Sequence, residues 1–275
     1  MKLLFTDLDD TLLNNKSQVS PGTKAFLDAF LAAGNRLVLS SGRPLASVME
    51  VKEAAGLHQP GIFLSGSNGT RIYDCDRQCT ILKKGLPLPW VSYLQKQAKD
   101  LSLHIHTYRE KDGEEDAIIT PTDDEEIGFY RRKIHLPLIL SEQLTDALDD
   151  DDTPCKMLAI SLHNPDKLES FRSNIAAWAK NKVRTIYSNN KYLEVYPWDA
   201  GKGSSLLFLS DYLSVPISDT YAAGDAENDI SMLTAAGCGI AMKNAADTVK
   251  AHADVVTDLT NDQDGLADMM RKLLL

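Results

Sequence analysis

Two acidic side chains stand two positions apart near the start of the chain, in the segment Asp7-Leu8-Asp9-Asp10-Thr11. They follow a short apolar run, residues 2–6, which is typical of a buried strand. In an extended segment, residues two apart point the same way, so the carboxylates of Asp7 and Asp9 should converge on one site. Such a pair is costly unless a cation neutralises it. The segment predicts a catalytic or metal-binding centre; the alternative is an acidic loop that caps the next helix.

A second acidic group lies near the end of the chain, in Gly224-Asp225-Ala226-Glu227-Asn228-Asp229. It also follows an apolar run, and the carboxyl ends of parallel strands meet at the edge of the sheet where ligands bind. Asp225 and Asp229 should therefore lie beside Asp7. Carboxylate oxygens with few thiolates or imidazoles nearby favour magnesium over zinc or copper. The alternative is that Asn228 or Asp229 caps the following helix, a role that is compatible with metal binding.

Two further segments carry groups that suit an anion. Ser41, Gly42 and Arg43 end another apolar run before a helix, so a hydroxyl and backbone N–H groups would face a phosphate there. Lys202 begins a helix late in the chain, and its charge would offset several acids and a phosphate. Both segments also have ordinary structural interpretations. Ser-Gly before a helix is usually a cap, and a single lysine is normally a solvated surface residue.

Alternating strands and helices position these residues. Short apolar runs mark strands, and the helix between the first two has Ser20 as N-cap, Pro21 in its first turn and Gly34 past its end. Further helices are predicted near residues 44–55, 230–236, 244–251 and 265–274. The predicted strands of this pattern are residues 2–7, 37–40, 61–65, 221–224 and 239–242. The predicted fold class is α/β, with a Rossmann-like parallel-sheet core covered by helices.

The pattern changes after Asn68-Gly69, which is a strong tight-turn signal between two short extended runs. From about residue 86 the segments become amphipathic. Strands are predicted near 103–107, 156–162 and 183–187, and helices near 89–99 and 165–180. We therefore expect an inserted α+β cap domain over residues 83–190, with one solvated sheet face. The core domain would consist of residues 1–82 plus 191–275.

Composition excludes several classes of function. The chain has 275 residues and a formal net charge of −10, which disfavours nucleic acid because backbone phosphates are bound by clustered Lys and Arg. The four cysteines are scattered without a second metal-spaced pair, so free thiols in a reducing cytoplasm are expected. The apolar runs are much shorter than a membrane-spanning helix, and we expect no signal peptide.

Taken in order, these segments resemble the four motifs of the haloacid dehalogenase (HAD) superfamily of phosphatases. Asp7 to Thr11 matches the first motif, Ser41-Gly42-Arg43 the second, Lys202 the third and Gly224 to Asp229 the fourth. The closest likeness is to the Cof-type branch, in which a large type IIB α/β cap is inserted after the third core strand. It is strongest over residues 221–274, and Asn68-Gly69 also fits. Residues 83–190 match in length and coarse pattern only.

The resemblance implies a covalent mechanism. Asp7 would form an aspartyl-phosphate, while Asp9 would protonate the leaving alcohol and then activate the hydrolytic water. Ser41 and Lys202 would bind the transferring phosphoryl group. Weaker substrate or phosphate contacts are implied for Gly42, Arg43, Asn68 and Asn228.

The resemblance also implies a cofactor, Mg²⁺. Asp7, the backbone carbonyl of Asp9, and Asp225 would bind it, with Asp229 either as a ligand or as support behind the ligands. The implied partner is a small phosphorylated metabolite, expected to be a sugar phosphate and selected by the cap. No nucleic acid, membrane or obligate protein partner is expected.

Two other functions stay open. Related sugar phosphomutases share these core motifs, and a mutase would return the phosphoryl group to a reoriented sugar. A non-catalytic phosphate-binding module is the third class, although a pure binding site would not need Asp9 as a proton carrier.

His104 and His106 lie two apart on a predicted strand of the insert and therefore share a face. No third ligand is evident for a metal site. We expect both to be surface or substrate-facing side chains.

Overall fold

The chain folds into two compact units. The computed structural model describes residues 1–274, including every side chain except that of Asn189. Residues 1–82 and the chain from residue 201 onward form one unit, here called the core unit. Residues 83–200 form the second, here called the inserted unit.

A largely parallel sheet runs through the core unit. Its eight strands, in chain order, are β1 (Leu3–Thr6), β2 (Arg36–Ser40), β3 (Ile62–Gly66), β4 (Arg71–Asp74), β5 (Cys79–Lys83), β12 (Thr220–Gly224), β13 (Cys238–Ala241) and β14 (Val255–Val256). Across the sheet they are ordered β14-β13-β12-β1-β2-β3-β4-β5. From β14 to β3 all neighbours are parallel, and β4 pairs antiparallel with β3. This sheet confirms the predicted α/β fold class.

Both faces of this sheet are buried beneath helices. Leu4 of β1 belongs to one apolar cluster, whereas Leu3 and Phe5 belong to the other. This is the alternation of a strand buried on both sides. Helices α1 (Pro21–Ala32), α2 (Leu45–Ala54) and α9 (Gly265–Leu274) contribute to the first cluster. The second cluster is covered by α6 (Lys202–Tyr212), α7 (Ile230–Ala235) and α8 (Asp247–Lys250).

The predicted punctuation of α1 is present. The Ser20 side chain accepts a hydrogen bond from the backbone N–H of Thr23 at 3.1 Å, and Pro21 is the first helical residue. Gly34, with φ +82°, follows the end of the helix. Ser20 and Pro21 therefore mark the start of α1, and Gly34 follows its end, before the chain enters β2.

The inserted unit contains a second, mixed sheet. Its strands are β6 (His104–Arg109), β7 (Ala117–Thr120), β8 (Leu138–Leu140), β9 (Met157–Ile160), β10 (Val183–Asn189) and β11 (Tyr192–Pro197), ordered β10-β11-β9-β6-β7-β8. Neighbours are antiparallel except for β7 and β8. Helices α3 (Leu88–Asp100) and α5 (Asp166–Ala179) cover one face with an apolar core, and α4 (Glu125–Tyr130) is short.

The second boundary of the insert lies later than predicted. Strand β11 pairs with β9 and β10, so residues 191–200 belong to the inserted unit and not to the core. Its buried Glu194 forms a 2.9 Å ion pair with Lys156, which is 38 residues away in the chain. Because that partner is remote, the local sequence does not show that this strand belongs to the insert.

The sheet face opposite α3 and α5 is polar. Contrary to the prediction of a solvated face, it is not fully exposed to solvent. His106 and Tyr108 of β6 are fully buried, and the ring of Tyr130 from α4 lies 5.0 Å from that of His106. Lys156 and Glu194 are also buried. The aromatic and charged side chains on this face therefore pack against one another and shield part of it from solvent.

Among the helices in the described part of the chain, none has both the length and the apolar character needed to cross a bilayer.

Candidate active site

Three neighbouring strands end where the predicted site residues begin. Asp7 follows β1, Ser41 follows β2 and Asp225 follows β12. Strand β1 lies between β12 and β2 and is parallel to both. The backbone N–H of Asp7 also donates to the carbonyl of Ala223 at 2.9 Å, which extends the hydrogen-bond ladder between β1 and β12 to Asp7. The topology thus brings these three residues to one edge of the sheet.

Three carboxylates meet at this edge. Asp7, Asp225 and Asp229 each offer an oxygen atom, and these oxygens lie within 4.8 Å of one another. Asp229 is fully buried and Asp7 nearly so. A Cβ atom at Gly224 would lie 2.4 Å from the Cβ of Asp229, so only glycine permits this close approach. The close packing of Asp229 against Gly224, at the end of β12, therefore helps to form the site.

Burial and mutual repulsion shift the pKa values of acids in this cluster. Burial raises the pKa of Asp7 well above its usual range; Asp229 and Asp225 raise it further, while Lys202 opposes the shift. Burial and the nearby Asp229 also raise the pKa of Asp225 to about 7, against the hydrogen bond that its carboxylate accepts from Thr11 Oγ1 at 2.8 Å. The ionised cluster therefore needs added positive charge.

Lys202 provides part of that charge. Its side chain is completely buried, and Nζ donates to Asp7 Oδ1 and to Asp229 Oδ1, both at 2.5 Å. Burial alone would lower the pKa of Lys202, but Asp229 and Asp7 raise it above its ordinary value. Lys202 is thus a buried, charged residue of the site and not the solvated surface lysine of the alternative interpretation.

The donor set fits a hard divalent cation. Three carboxylates and one ammonium group leave two formal negative charges in a buried cluster. All the acidic donors are oxygen atoms, which magnesium prefers. Asp7 and Asp225 suit direct ligation.

Both carboxylate oxygens of Asp229 already accept hydrogen bonds from the protein. Its Oδ2 accepts from the backbone N–H groups of Asp225 and Ala226, each at 3.0 Å, and its Oδ1 accepts from Lys202. It does not cap α7 through its side chain. These bonds hold the turn that carries Asp225 and orient Lys202, so Asp229 is better suited to support the ligands than to be one.

The predicted phosphate-binding segments lie together in the core unit. Ser41 is buried; its carbonyl accepts from the backbone N–H of Asn68 at 2.9 Å, and its Oγ accepts from the backbone N–H of Arg43 at 3.2 Å. The Asn228 amide donates to Asn68 Oδ1 at 3.0 Å. Helix α2 begins only at Leu45, so Gly42 lies in the turn before the helix and not in its first turn.

The Asn68-Gly69 turn also contacts the start of α6. Asn68 and Gly69 have φ values of +59° and +84°. A Cβ atom at Gly69 would lie 2.5 Å from the carbonyl oxygen of Gly201, directly before Lys202. The turn thus links the strand that precedes Asn68 to the helix that carries the buried lysine.

Asp9 departs from the sequence prediction. The chain after Asp7 is not continuously extended; residues Leu8–Leu12 form a π-helical turn that is interrupted at Asp9, which is itself extended, and at Asp10, which has φ +57°. The Asp9 carboxylate is about half exposed and forms a bidentate ion pair with Arg43, whereas Asp7 pairs with Lys202. The two acids therefore have separate partners, and Arg43, expected to contact substrate, contacts Asp9.

Two further residues of the site carried no predicted role. Thr11 donates to Asp225, and Ser231 Oγ accepts from the backbone N–H of Gly203 at 3.1 Å, which ties α7 to the first turn of α6. Thr11 lies within the first acidic segment, and this position next to buried acids is the sequence signal that could have indicated its role. Ser231 has no distinguishing local pattern.

His104 and His106 are not surface or substrate-facing residues. His104 Nδ1 lies 2.8 Å from Asp124 Oδ2, and His104 Nε2 lies 3.1 Å from His106 Nδ1. His106 Nε2 lies 3.0 Å from the Tyr108 hydroxyl, which lies 2.7 Å from that of Tyr130. The ring nitrogens are therefore engaged in a buried hydrogen-bonded chain within the inserted unit.

Comparison with known proteins agrees with this geometry. The model of the haloacid dehalogenase-like hydrolase family matches residues 4–270, nearly the whole chain. The protein is a haloacid dehalogenase-like hydrolase. Among curated members, the chain is 30% identical over 300 residues to phosphatase YwpJ of Bacillus subtilis, with all of both chains covered. It is 27% identical to 5-amino-6-(5-phospho-D-ribitylamino)uracil phosphatase YwtE of the same organism, covering 100% of this chain and 98% of that one.

Solved structures of this family share the fold over both units. A haloacid dehalogenase-like hydrolase from Bacteroides thetaiotaomicron aligns with a TM-score of 0.87 at 28% identity, covering 99% of each chain. The subclass IIB sugar phosphatase BT4131 aligns with a TM-score of 0.79 over 99% of each chain; at 21% identity this likeness concerns the fold alone. The chain described here is thus a phosphatase of the haloacid dehalogenase-like hydrolase family.

Proposed function

We propose that this protein is a magnesium-dependent phosphomonoesterase that hydrolyses a sugar phosphate or a similar polyhydroxylated phosphate ester through an aspartyl-phosphate on Asp7. The observation that carries the proposal is the placement of Asp7. It lies after the end of β1, buried, bonded to Lys202 and within a cluster of three carboxylates with the spacing to hold a metal ion. A carboxylate in such a setting suits nucleophilic attack on a phosphate ester.

In the first step, an Asp7 carboxylate oxygen attacks phosphorus and the bond from phosphorus to the ester oxygen breaks. Asp9 protonates the departing alcohol. Lys202 lies 2.5 Å from Asp7 Oδ1, so it can stabilise the negative charge of the phosphoryl group as it reaches Asp7. Ser41, at the end of β2, would donate its hydroxyl to the same group.

In the second step, Asp9 takes a proton from water, whose oxygen attacks phosphorus and releases inorganic phosphate and free Asp7. We propose that Asp7, Asp225 and the backbone carbonyl of Asp9 hold Mg²⁺, with Asp229 orienting Asp225 and Lys202. The bound ion supplies positive charge that keeps the acids ionised and stabilises the transferring phosphoryl group.

We assign selection of the substrate to the inserted unit, as the family resemblance implies. The names of three relatives at 26–27% identity include a phosphorylated ribityl compound, which is also a phosphate ester of a polyhydroxylated chain. The four free cysteines suit a reducing compartment, and we propose the cytoplasm as the site of action.

The proposal is tested by measuring phosphate release from p-nitrophenyl phosphate and from a panel of sugar phosphates, polyol phosphates and 5-amino-6-(5-phospho-D-ribitylamino)uracil. We expect activity with Mg²⁺, none with EDTA, and a loss of at least about 10³-fold in Asp7→Asn. Near-native activity in Asp7→Asn would eliminate the covalent scheme. Transfer of phosphate between sugar positions with little release would instead show a phosphomutase.

A further inference from the structure

The carboxylate of Asp9 is held by one well-defined partner. Arg43 Nε donates to Asp9 Oδ2 at 2.9 Å and Arg43 Nη2 donates to Asp9 Oδ1 at 2.6 Å. Two parallel bonds of this kind fix both the position and the plane of a carboxylate, because the guanidinium group is rigid and planar. A single point charge such as lysine would fix neither to the same extent.

Arg43 is itself anchored by its backbone. Its N–H donates to Ser41 Oγ at 3.2 Å, and its carbonyl accepts from the N–H of Ser67 at 2.7 Å. Two residues further on, the backbone of Leu45 packs so closely on β3 that a Cβ atom at Gly66 would lie 2.9 Å from it. The Arg43 side chain is 17% exposed, compared with 47% for Asp9. The arginine is thus the fixed member of the pair.

Asp9 needs such a fixed partner more than Asp7 does. Asp7 is enclosed and bonded to the buried Lys202, whereas Asp9 lies in a tight turn with half of its side chain in solvent. An unrestrained aspartate there would sample several rotamers. Each carboxylate oxygen bound to Arg43 keeps a further lone pair, so Asp9 can exchange a proton with a substrate without leaving the arginine.

We propose that Arg43 is a positioning residue that orients Asp9 for proton transfer to the leaving alcohol. The inference rests on the proposed function of Asp9 and differs from the phosphate contact that the sequence predicts for Arg43. A phosphate-binding arginine affects every phosphate ester alike. A residue that acts through the general acid affects only those esters whose leaving group needs a proton.

The two roles are separated by the substrate. The p-nitrophenolate ion departs readily without a proton, whereas a sugar alkoxide does not. We would measure kcat/KM, which covers the steps up to departure of the alcohol, for p-nitrophenyl phosphate and for the best sugar phosphate, with Mg²⁺ present. The variants are Arg43→Gln and Arg43→Lys, with the exposed Arg271→Gln as the matched loss of an arginine charge.

For Arg43→Gln we expect kcat/KM to fall roughly 10- to 100-fold with the sugar phosphate and less than about threefold with p-nitrophenyl phosphate. Binding of inorganic phosphate, measured by calorimetry, should weaken by less than about threefold. Arg43→Lys should remain impaired with the sugar phosphate, because lysine retains the charge but cannot make two parallel bonds. Arg271→Gln should match the parent enzyme.

A double variant completes the test. If Arg43 acts through Asp9, then adding Arg43→Gln to Asp9→Asn should cost nothing further with the sugar phosphate. Equal losses with both substrates, a proportional loss of phosphate affinity, or an additive loss in the double variant would overturn the inference, as would an unimpaired Arg43→Gln. Failure of the proposed function would be recognised separately, since Asp9→Asn alone would then keep its rate with the sugar phosphate.

Discussion

At the scale of single residues, the candidate active site concentrates charges that the fold alone would not favour. Asp7, Asp225 and Asp229 are brought together with one compensating group, Lys202. The pKa of Asp225 is raised to about 7, which means that its ionised form costs free energy in the metal-free protein. The metal-binding role proposed for Asp225 therefore comes at the expense of stability.

Asp225→Asn should make the metal-free protein more stable while abolishing activity. A group whose folded pKa is raised destabilises the fold increasingly as pH rises from about 4 through its folded value. We therefore expect the variant's free energy of unfolding in EDTA to exceed the parent's by about 1–3 kcal/mol at pH 8, with a much smaller difference at pH 5. Urea unfolding at both pH values measures this. A pH-independent difference would contradict the electrostatic account, and Asp211→Asn, an exposed acid in α6, serves as control.

Lys202→Met should have the opposite effect. Removing the ammonium group leaves the buried Asp7 and Asp229 without their shared partner. We expect a loss of about 3–5 kcal/mol in the free energy of unfolding at pH 8. Urea unfolding of this variant and of the exposed-site control Lys16→Met provides the comparison. A Lys202→Met protein within about 0.5 kcal/mol of the parent would show that the buried pair contributes little.

At the scale of elements, local pattern predicted the core well and side-chain partners poorly. Strand β1, helix α1 and strand β12 follow from apolar runs and caps, and strand order then brings Asp7 and Asp225 together. Strand β11 was not predicted, because the buried charge of Glu194 is explained only by the distant Lys156.

The side-chain partners of the site residues could likewise not be predicted from the sequence. The pairing of Asp9 with Arg43 depends on the tight turn after Asp7, where Asp10 adopts a left-handed conformation. A prediction based on an extended segment could place Asp7 at the site. It could not give the direction in which the Asp9 side chain points. Motif spacing thus identifies which residues form the site, while backbone geometry decides which of them touch.

Strand β6 provides a prediction at this scale. Burial lowers the pKa of His106 well below its ordinary range, and the neighbouring His104 and Lys156 lower it further, against a smaller opposing effect of Asp124. The folded protein should therefore keep this ring neutral, whereas the unfolded chain binds a proton near pH 6.5. As the pH falls below about 6.5, His106 should therefore progressively reduce stability.

Nuclear magnetic resonance of histidine-labelled protein measures this directly. The Cε1 shift of His106, assigned with a His106→Gln variant, should stay constant from about pH 7.5 to 5.5. The same ring in the urea-unfolded protein should titrate near pH 6.5 and acts as the control. A midpoint for His106 within this interval in the folded protein would show that the buried chain of rings admits a proton.

At the scale of the whole molecule, the two units have separate apolar cores. The clusters around the core sheet draw only on residues 3–82 and 206–273, and that of the inserted unit only on residues 86–195. Units with separate cores are able to unfold separately. The proposed metal ligands all belong to the core unit.

Magnesium should accordingly stabilise one unit and not the other. All three tryptophans, Trp90, Trp178 and Trp198, lie in the inserted unit. Addition of Mg²⁺ at about 100 times its Kd should stabilise the core unit by about 2.7 kcal/mol. We expect the tryptophan fluorescence transition in urea to stay unchanged while a second transition, seen by circular dichroism, moves to higher urea. Coincident transitions that both shift would show that the units unfold as one.

The central claim is that Asp7 becomes covalently phosphorylated, and the most direct measurement is mass spectrometry of the enzyme during turnover. Asp9→Asn should still react with p-nitrophenyl phosphate, whose leaving group needs no proton, yet it should lack the base that hydrolyses the intermediate. We predict that acid-quenched Asp9→Asn carries one added phosphoryl group, located by peptide mapping on Asp7, and that Asp7→Asn/Asp9→Asn carries none. Release of p-nitrophenol with an unmodified Asp7, or with the phosphoryl group on another residue, would contradict the account.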